Sequence, residues 1–174
     1  MSDFFTKTDL SRKDAESIIS ETLNNCDDGE LYLENSKSES IVLDDDKIKS
    51  SSYSSDLGYG LRAVTGEVVA YSHSNEISKK SLKQSASNLS STLKSQKGIY
   101  NHEIPKTNEK LYEDINPIEE KTLKSKLDLL KEVNNYTRAK GGIVKQVTAS
   151  FAGEHKSIEI IRSGGEVLTD VRPL

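Results

Sequence analysis

A chain of 174 residues with 33% hydrophobic residues, 30% charged residues and no tryptophan has the length of one domain but little material for a large closed core. Its net charge of −4 and pI of about 5.5 argue against a nucleic-acid-binding protein, which needs a concentrated basic face. No segment approaches the ~20 apolar residues of a membrane span, and the N-terminus has no apolar run typical of a signal peptide. These features predict a soluble cytoplasmic protein.

The first predicted element is a helix over residues 11–26. Ser11 and Asp14 form a plausible capping pair, and Gly29 lies just past the predicted end. Cys26 is the only cysteine, which rules out an intrachain disulfide and favours a small buried hydrophobic residue. Helical spacing relates the residues of the predicted apolar face: Ala15, Ile18, Ile19, Thr22, Leu23 and Cys26.

Short strand-like runs joined by turns come next. Turn signals stand at Asp44-Asp45-Asp46 and at Thr65-Gly66. Such a series predicts an antiparallel meander with one solvated face. Five strands are predicted, over residues 30–34, 40–43, 47–53, 57–64 and 67–72.

Helical periodicity returns over residues 76–94, with Ser74 or Asn75 as the predicted cap. The apolar positions of this second helix are Leu82, Ala86, Leu89 and Leu93. Residues 96–116 show no period, and such long connections are usually functional or mobile.

A third helix is predicted to begin at Asn116-Pro117 and to end at Gly141-Gly142. Its predicted apolar face comprises Leu123, Leu127, Leu129, Leu130, Val133 and Tyr136. Three further strands are predicted over residues 143–152, 155–162 and 166–171, with turns at Gly153-Glu154 and at residues 163–165. The whole order predicts an α+β fold, a mostly antiparallel sheet with about three helices packed against it.

The most distinctive stretch is residues 56–67, which read DLGYGLRAVTGE. Glycine inside a strand packs nothing and loses much backbone entropy, so Gly58 and Gly60 predict that another part of the molecule comes close to this backbone. A phosphate-binding loop would lead into a helix, whereas Gly66 lies in a hairpin turn here. Arg62, among apolar neighbours, favours a structural ion pair over a substrate contact.

No catalytic or metal site is predicted in this chain. His73, His102 and His155 have no spacing typical of chelation, and a catalytic thiol at Cys26 is disfavoured. The turn Asp44-Asp45-Asp46 could offer oxygens to a hard cation, but the further ligands and central glycine of a Ca²⁺ loop are absent. A solvated hairpin turn is the favoured interpretation.

Two stretches resemble the TldD/PmbA family of zinc metallopeptidases, and within it the TldD branch. Residues 29–95 carry a strand similar to the family's "DLY", a pair of strands similar to "ES…LED…K", and G-x-G-x-R-A-x-x-G at Gly58, Gly60, Arg62 and Gly66. The stretch from KLDLLKEV onward is similar through "V-x-x-V-x-A-S" and the final "D-x-R-P-L". The resemblance makes these four residues family-signature structural positions.

The resemblance implies a dimeric peptidase, either a homodimer or a heterodimer with a PmbA-type subunit. Members act on small or unfolded polypeptides and are linked to the maturation of peptide antibiotics and the turnover of antitoxins. Their zinc site is an H-E-x-x-x-H motif in the C-terminal half. No position of this chain matches that motif, so zinc is implied for the full-length protein and this chain alone is predicted to be inactive.

Residues 1–174 are therefore predicted to be a TldD-type N-terminal domain without the C-terminal metallopeptidase domain. We expect it to shape the substrate channel and the subunit interface. The alternative is a non-catalytic adaptor module, or a truncated gene product, of the same family. An old family label, gyrase modulator, raises a nucleic-acid role, against which the acidic pI argues.

Overall fold

The computed structural model of the chain describes residues 4–93 and 111–174. The five strands of these residues form one sheet in the order β3-β2-β1-β4-β5. The predicted α+β class with an antiparallel sheet is confirmed. In chain order the elements are α1 (Arg12–Leu23), β1 (Asp28–Asp44), β2 (Lys47–Thr65), β3 (Val68–Ser74), α2 (Lys79–Leu93), α3 (Pro117–Glu120), α4 (Leu123–Arg138), β4 (Thr148–Arg162) and β5 (Val167–Pro173).

The predicted number of strands is wrong because the strands run through several polar segments. Among the described residues, three strands (β1, β2 and β3) stand where five were predicted after α1. Two strands (β4 and β5) stand where three were predicted after α4. Gly153 and Glu154 lie within β4 rather than in a turn, and Glu154 exchanges N–H···O bonds with Leu174 at 2.9 and 2.7 Å. Main-chain ladder bonds do not require apolar side chains, so polar residues on a solvated face stay extended.

The other predicted turns are confirmed. Asp45 and Asp46 join β1 to β2 with φ of 46° and 64°, as in a tight hairpin of left-handed residues. Gly66 has φ of 58° between β2 and β3. Gly165 has φ of 80° between β4 and β5.

The described residues fall into two compact units. Unit 1 comprises the described residues of Met1–Asn35, Asp56–Leu111 and Ser157–Asp170. Its hydrophobic core joins helices α1 and α2 to strand residues, and the predicted apolar positions of both helices supply much of it. The main buried members are Ala15, Ile19, Leu23, Leu31, Leu33, Tyr59, Leu61, Ala63, Ala70, Leu82, Ala86, Leu89, Leu93 and Ile161.

Helix α1 begins with the predicted capping pair. Ser11 Oγ accepts a hydrogen bond from Asp14 N at 3.1 Å and donates one to Asp14 Oδ2 at 2.8 Å. The helix ends at Leu23, and Gly29 lies inside β1 rather than at the helix end. Cys26 is half-buried beside the core of unit 1.

Helix α2 is rich in serine, which is a weak helix former. Tertiary hydrogen bonds hold it: Tyr59 Oη lies 2.8 Å from Ser81 Oγ and 2.9 Å from Ser85 Oγ. The predicted cap at Ser74 or Asn75 is wrong, because the helix begins at Lys79. Ser78 Oγ accepts a hydrogen bond from Ser81 N at 3.1 Å and so caps the helix.

Unit 2 comprises Ser36–Ser55, the described residues of Tyr112–Lys156, and Val171–Leu174. Its core cluster is small: Ile41, Leu43, Leu130 and Ala149, with Leu127 and Phe151 packed against them. The third predicted helix is two helices, because Lys121 is extended, with φ of −114° and ψ of 139°. The predicted start at Asn116-Pro117 is confirmed, with Asn116 as the cap of α3, and Thr122 caps α4.

The predicted apolar face of α4 is wrong for four of its six residues. Leu123, Leu129, Val133 and Tyr136 are exposed, whereas Leu130 is buried and Leu127 is half-buried. The buried residues of α4 are Lys126, Leu130 and Asn134. A lysine is buried here because Lys126 pairs with Glu39 and donates to Ile118 O at 2.7 Å. An apolar periodicity cannot reveal such contacts.

Residues 111–116 form neither helix nor strand, and the rest of the predicted long connection, with His102, lies outside the described residues. Within residues 4–93 and 111–174, no helix is long and apolar enough to cross a membrane.

Candidate functional site: a pocket over the glycine strand

The alternation of β2 places its glycines on the sheet face opposite the core of unit 1. Tyr59, Leu61, Ala63 and Thr65 are buried, and Arg62 between them is half-buried. Strand β3 pairs with this segment antiparallel. In that register Gly60 lies opposite His73, and Arg62 lies opposite Tyr71.

Both glycines have close neighbours. A Cβ atom at Gly58 would lie 2.8 Å from the carbonyl oxygen of Ser74 and 3.3 Å from Asn75 Oδ1. A Cβ atom at Gly60 would lie 2.5 Å from the hydroxyl oxygen of Tyr71. The close approach is therefore made by a backbone at Gly58 and by an aromatic side chain at Gly60. The backbone carbonyl of Ser74 cannot move without a shift of the main chain, whereas the Tyr71 side chain can rotate away.

A pocket of about 400 Å³ lies over these glycines. The rings of Tyr71 and His73 are stacked in it, with centroids 5.8 Å apart and planes inclined by 26°. Tyr32 Oη donates a hydrogen bond of 2.5 Å to Glu34 Oε2. The side chains that line it include Tyr32, Glu34, Asp56, Tyr71, His73 and Asn75. The pocket thus combines aromatic faces with carboxylates.

Arg62 lies beside acidic residues of β1 on the same unit. Its Nη1 is 3.0 Å from Asp28 Oδ2 and 3.9 Å from Glu30 Oε1. The Arg62 and Asp28 side chains are 38% and 40% exposed, so solvent screens the pair. Such pairs contribute about 0–1 kcal/mol, and their main effect here is to orient Arg62 toward β1.

Gly66 has a conformational role in the hairpin. Its φ of 58° lies in the left-handed region that glycine adopts without a Cβ clash. Gly66 N donates to Asp27 Oδ2 at 2.6 Å, and Asp27 N donates to Val64 O at 2.8 Å. Asp27 therefore ties the turn to the start of β1, a contact that sequence reasoning missed.

The described residues do not fit the zinc site that the family resemblance implies. Within residues 4–93 and 111–174, no group of three or more His, Cys, Asp and Glu residues could hold a metal ion. His73 stacks on Tyr71, and Cys26 Sγ lies 3.9 Å from Thr22 O, a carbonyl of α1. No catalytic step is therefore assigned to a metal in this chain.

In the acidic turn of unit 2, the carboxylates of Asp44 and Asp45 accept hydrogen bonds from other residues of the protein. Hydrogen bonds from Gln146 and Thr148, each of 2.9 Å, lower the pKa of Asp44 below its ordinary value. Asp45 pairs with Arg138 and accepts from Val147 N at 3.0 Å. The turn is thus a hydrogen-bonded hairpin rather than a fully solvated one.

The pocket side chains Tyr32, Glu34, Tyr71 and His73 were missed as a set by sequence reasoning. One signal was available for two of them, since the predicted turn at Thr65-Gly66 places the alternate residues Tyr71 and His73 opposite Arg62 and Gly60. Tyr32 and Glu34 were not placed, because residues 30–34 were predicted as a strand separate from the hairpin at Asp44-Asp45-Asp46, whereas β1 runs without interruption from Asp28 to Asp44.

Comparison with known proteins gives consistent matches. Residues 29–92 match the family model described as PmbA/TldA metallopeptidase domain 1. The chain is 34% identical over 148 residues to the "Metalloprotease TldD homolog" of Buchnera aphidicola from Acyrthosiphon pisum, covering 84% of this chain and 31% of the relative. It is 33% identical over 156 residues to the protein of the same name from Haemophilus influenzae, covering 86% and 32%.

Solved structures share the fold at low identity. A protein described as a candidate modulator of DNA gyrase from Bacteroides thetaiotaomicron matches with a TM-score of 0.70 and 18% identity, over 93% of this chain and 38% of that one. TldE from Thermococcus kodakarensis matches with a TM-score of 0.64 and 13% identity, over 91% and 37%.

The chain spans about a third of the length of the curated relatives it matches, 31% and 32% in these two cases. The family-model match includes β1, β2, β3 and most of α2, and thus all four signature residues at positions 58, 60, 62 and 66. This chain belongs to the TldD/PmbA family, as an N-terminal domain of that family.

Proposed function

We propose that this chain is the N-terminal domain of a TldD-type metallopeptidase that acts on small or unfolded polypeptides. In this proposal the domain helps to hold the polypeptide and contributes to the subunit interface. The hydrolytic zinc site belongs to a part of the full-length protein that this chain does not include. The similarity to relatives named metalloprotease, together with the lack of a fitting metal-ligand group in the described residues, supports this division.

The observation that carries the polypeptide-holding role is the position of β3. It is the last strand of the sheet formed by the described residues, next to β2 on one side only. Val69 and Tyr71 of β3 are 59% and 64% exposed. An extended polypeptide can add to such an edge through main-chain hydrogen bonds, which hold many sequences with little side-chain selection.

The first experiment measures zinc content and peptidase activity of the isolated chain. We expect no stoichiometric zinc and no turnover of an unstructured peptide, because the described residues offer no fitting ligand group. Stoichiometric zinc with turnover would refute the assignment of chemistry to another part of the protein.

The second experiment measures amide hydrogen exchange of the chain with an unstructured peptide in excess. We expect slower exchange in β3 (Val68–Ser74). Strand β5 (Val167–Pro173), at the other edge of the sheet, is the matched control and should be unaffected. Equal effects at both edges, or none at either, would contradict the role of β3.

The alternative is a non-catalytic adaptor of the same family. Reading the gene beyond the codon for Leu174 separates the two hypotheses. An in-frame H-E-x-x-x-H supports the peptidase, whereas a stop codon at that point supports the adaptor.

A further inference from the structure

In unit 1, the sheet face opposite the core (the open face) ends in two apolar side chains at the β3 edge. Residues opposite each other in an antiparallel pair lie on the same face. Val69 therefore follows Val64, and Tyr71 follows Arg62, in two rows across the sheet. Both rows stop at β3, the last strand of the sheet formed by the described residues. Because Val69 and Tyr71 are 59% and 64% exposed, these rows end in apolar surface that faces water.

The other face of β3 offers no such surface. Ala70 is buried in the core of unit 1. Ser72 Oγ donates a hydrogen bond of 3.0 Å to Ser85 Oγ of α2. The side chains that alternate with Val69 and Tyr71 are thus engaged within unit 1. An added strand would meet exposed β3 side chains on the open face, and any side-chain selection belongs there.

Strand β3 lacks the features that commonly prevent strand addition. Native edge strands are protected by lysine, by proline or by inward-pointing charges. Val68–Ser74 read VVAYSHS and contain no lysine, arginine, proline or carboxylate. A charged side chain opposite this strand would lose water and gain no ionic partner on it, whereas an apolar one would leave no ion desolvated. The charge of β3 therefore favours an uncharged occupant.

We propose that the β3 edge selects extended polypeptide segments in which β-branched and aromatic residues alternate with small or polar ones. Aromatic and β-branched side chains on neighbouring strands stabilise a sheet beyond its main-chain bonds. One face of the bound segment packs on Val69 and Tyr71, with Cβ atoms of opposite residues about 4.5–5.5 Å apart. Main-chain bonds still hold other sequences, but more weakly. This inference rests on the proposed function, that β3 holds a polypeptide, and adds the class of side chain that it prefers.

The test uses three acetylated and amidated peptides of equal length on a serine background. The alternating peptide carries valine, tyrosine and valine at every second position, and the contiguous peptide carries the same three residues side by side. The alanine peptide carries alanine at the alternating positions. Isothermal titration calorimetry measures the three dissociation constants.

We expect the dissociation constant to rise about fivefold from the alternating peptide to the alanine peptide. The contiguous peptide should lie between them, because only two of its three apolar residues share a face of the strand. Equal affinities of the alternating and alanine peptides would overturn the proposal.

A double variant and a matched control locate the selection. Val69→Ser with Tyr71→Ser should bring the alternating peptide to the affinity of the alanine peptide, whose own affinity should stay unchanged. Val133→Ser with Tyr136→Ser removes the same two residue types from exposed positions of α4, in unit 2, and should change no affinity. Circular dichroism of each protein verifies the fold.

Two results with these variants would count against the selection. If the β3 double variant binds the alternating peptide as the parent does, the preference arises elsewhere and the proposal fails. If it binds the alternating and alanine peptides more weakly by the same factor, the two side chains support the edge without selecting a sequence, and the proposal fails as well.

Failure of this inference is distinguishable from failure of the proposed function. If all three peptides bind equally and slow the amide exchange of β3, the polypeptide role stands and only the side-chain preference is lost. If none of them slows the exchange of β3, both are overturned. If protection of β3 without peptide grows with protein concentration, a second copy of the chain occupies the edge and the inference is overturned.

Discussion

Replacement of Lys126 by methionine should destabilise unit 2 strongly. The Lys126 side chain is 4% exposed and that of Glu39 is 12% exposed, so the pair lies almost entirely out of water. Lys126 Nζ also donates to Ile118 O at 2.7 Å and lies 5.5 Å from the centroid of the Phe151 ring. Methionine keeps most of the aliphatic stem but leaves a carboxylate and a carbonyl without this donor.

The magnitude follows from the uncompensated carboxylate. Removal of one partner from a buried ion pair costs about 3–5 kcal/mol. The residual exposure of Glu39 lets water reach it in part, which places the expected loss near the lower end, at about 3 kcal/mol. In a chain of this length, 1 kcal/mol shifts Tm by about 2–4 °C, so Tm should fall by about 6–12 °C.

The assay is urea and thermal unfolding followed by circular dichroism, with amide exchange to locate the effect in unit 2. Lys124→Met is the matched control, because Lys124 is exposed on the same helix and should change Tm little. The double variant Lys126→Met with Glu39→Met removes both charges and should recover at least half of the loss. A Lys126→Met protein within 2 °C of the parent, or a double variant as unstable as the single one, would refute the reasoning.

Three further predictions concern unit 1. Gly58→Val should lower the melting temperature of the protein more than Gly60→Val does. The new Cβ at position 58 would lie 2.8 Å from a backbone carbonyl oxygen, whereas at position 60 it would meet a tyrosine side chain that can rotate away. Equal melting temperatures of the two variants would contradict this. Leu61→Ala, at a side chain that is 0% exposed, should cost about 2–5 kcal/mol in urea unfolding, and a loss below 1 kcal/mol would show that the core refills. The hydrogen bond from the Lys79 ammonium, at 2.8 Å, lowers the pKa of Asp14 below its ordinary value. The contribution of Asp14 to stability is therefore complete above the ordinary carboxyl pKa and is lost as pH falls through the lowered one, and Asp14→Asn should flatten that acid limb.

Local signals in the sequence determined the parts of the fold that depend on neighbours in the chain. Helices α1 and α2 were predictable from the spacing of their apolar residues, and the capping pair at Ser11 and Asp14 from side chains three residues apart. The hairpin at Thr65-Gly66 was predictable because its glycine adopts a left-handed φ. The joint order of the motifs along both stretches, of which the glycine motif at Gly58 and Gly60 is one, was sufficient to indicate the family.

Tertiary structure decided whatever depends on residues distant in the chain. The turn predicted at Gly153-Glu154 is strand because Glu154 pairs with Leu174, twenty positions further on. Lys126 is buried because Glu39, on another element, compensates its charge. Likewise Tyr32, on β1, lines the pocket together with residues of β2 and β3. Burial of a charge and assembly of a pocket both depend on which strands pair, and a local pattern does not contain that information.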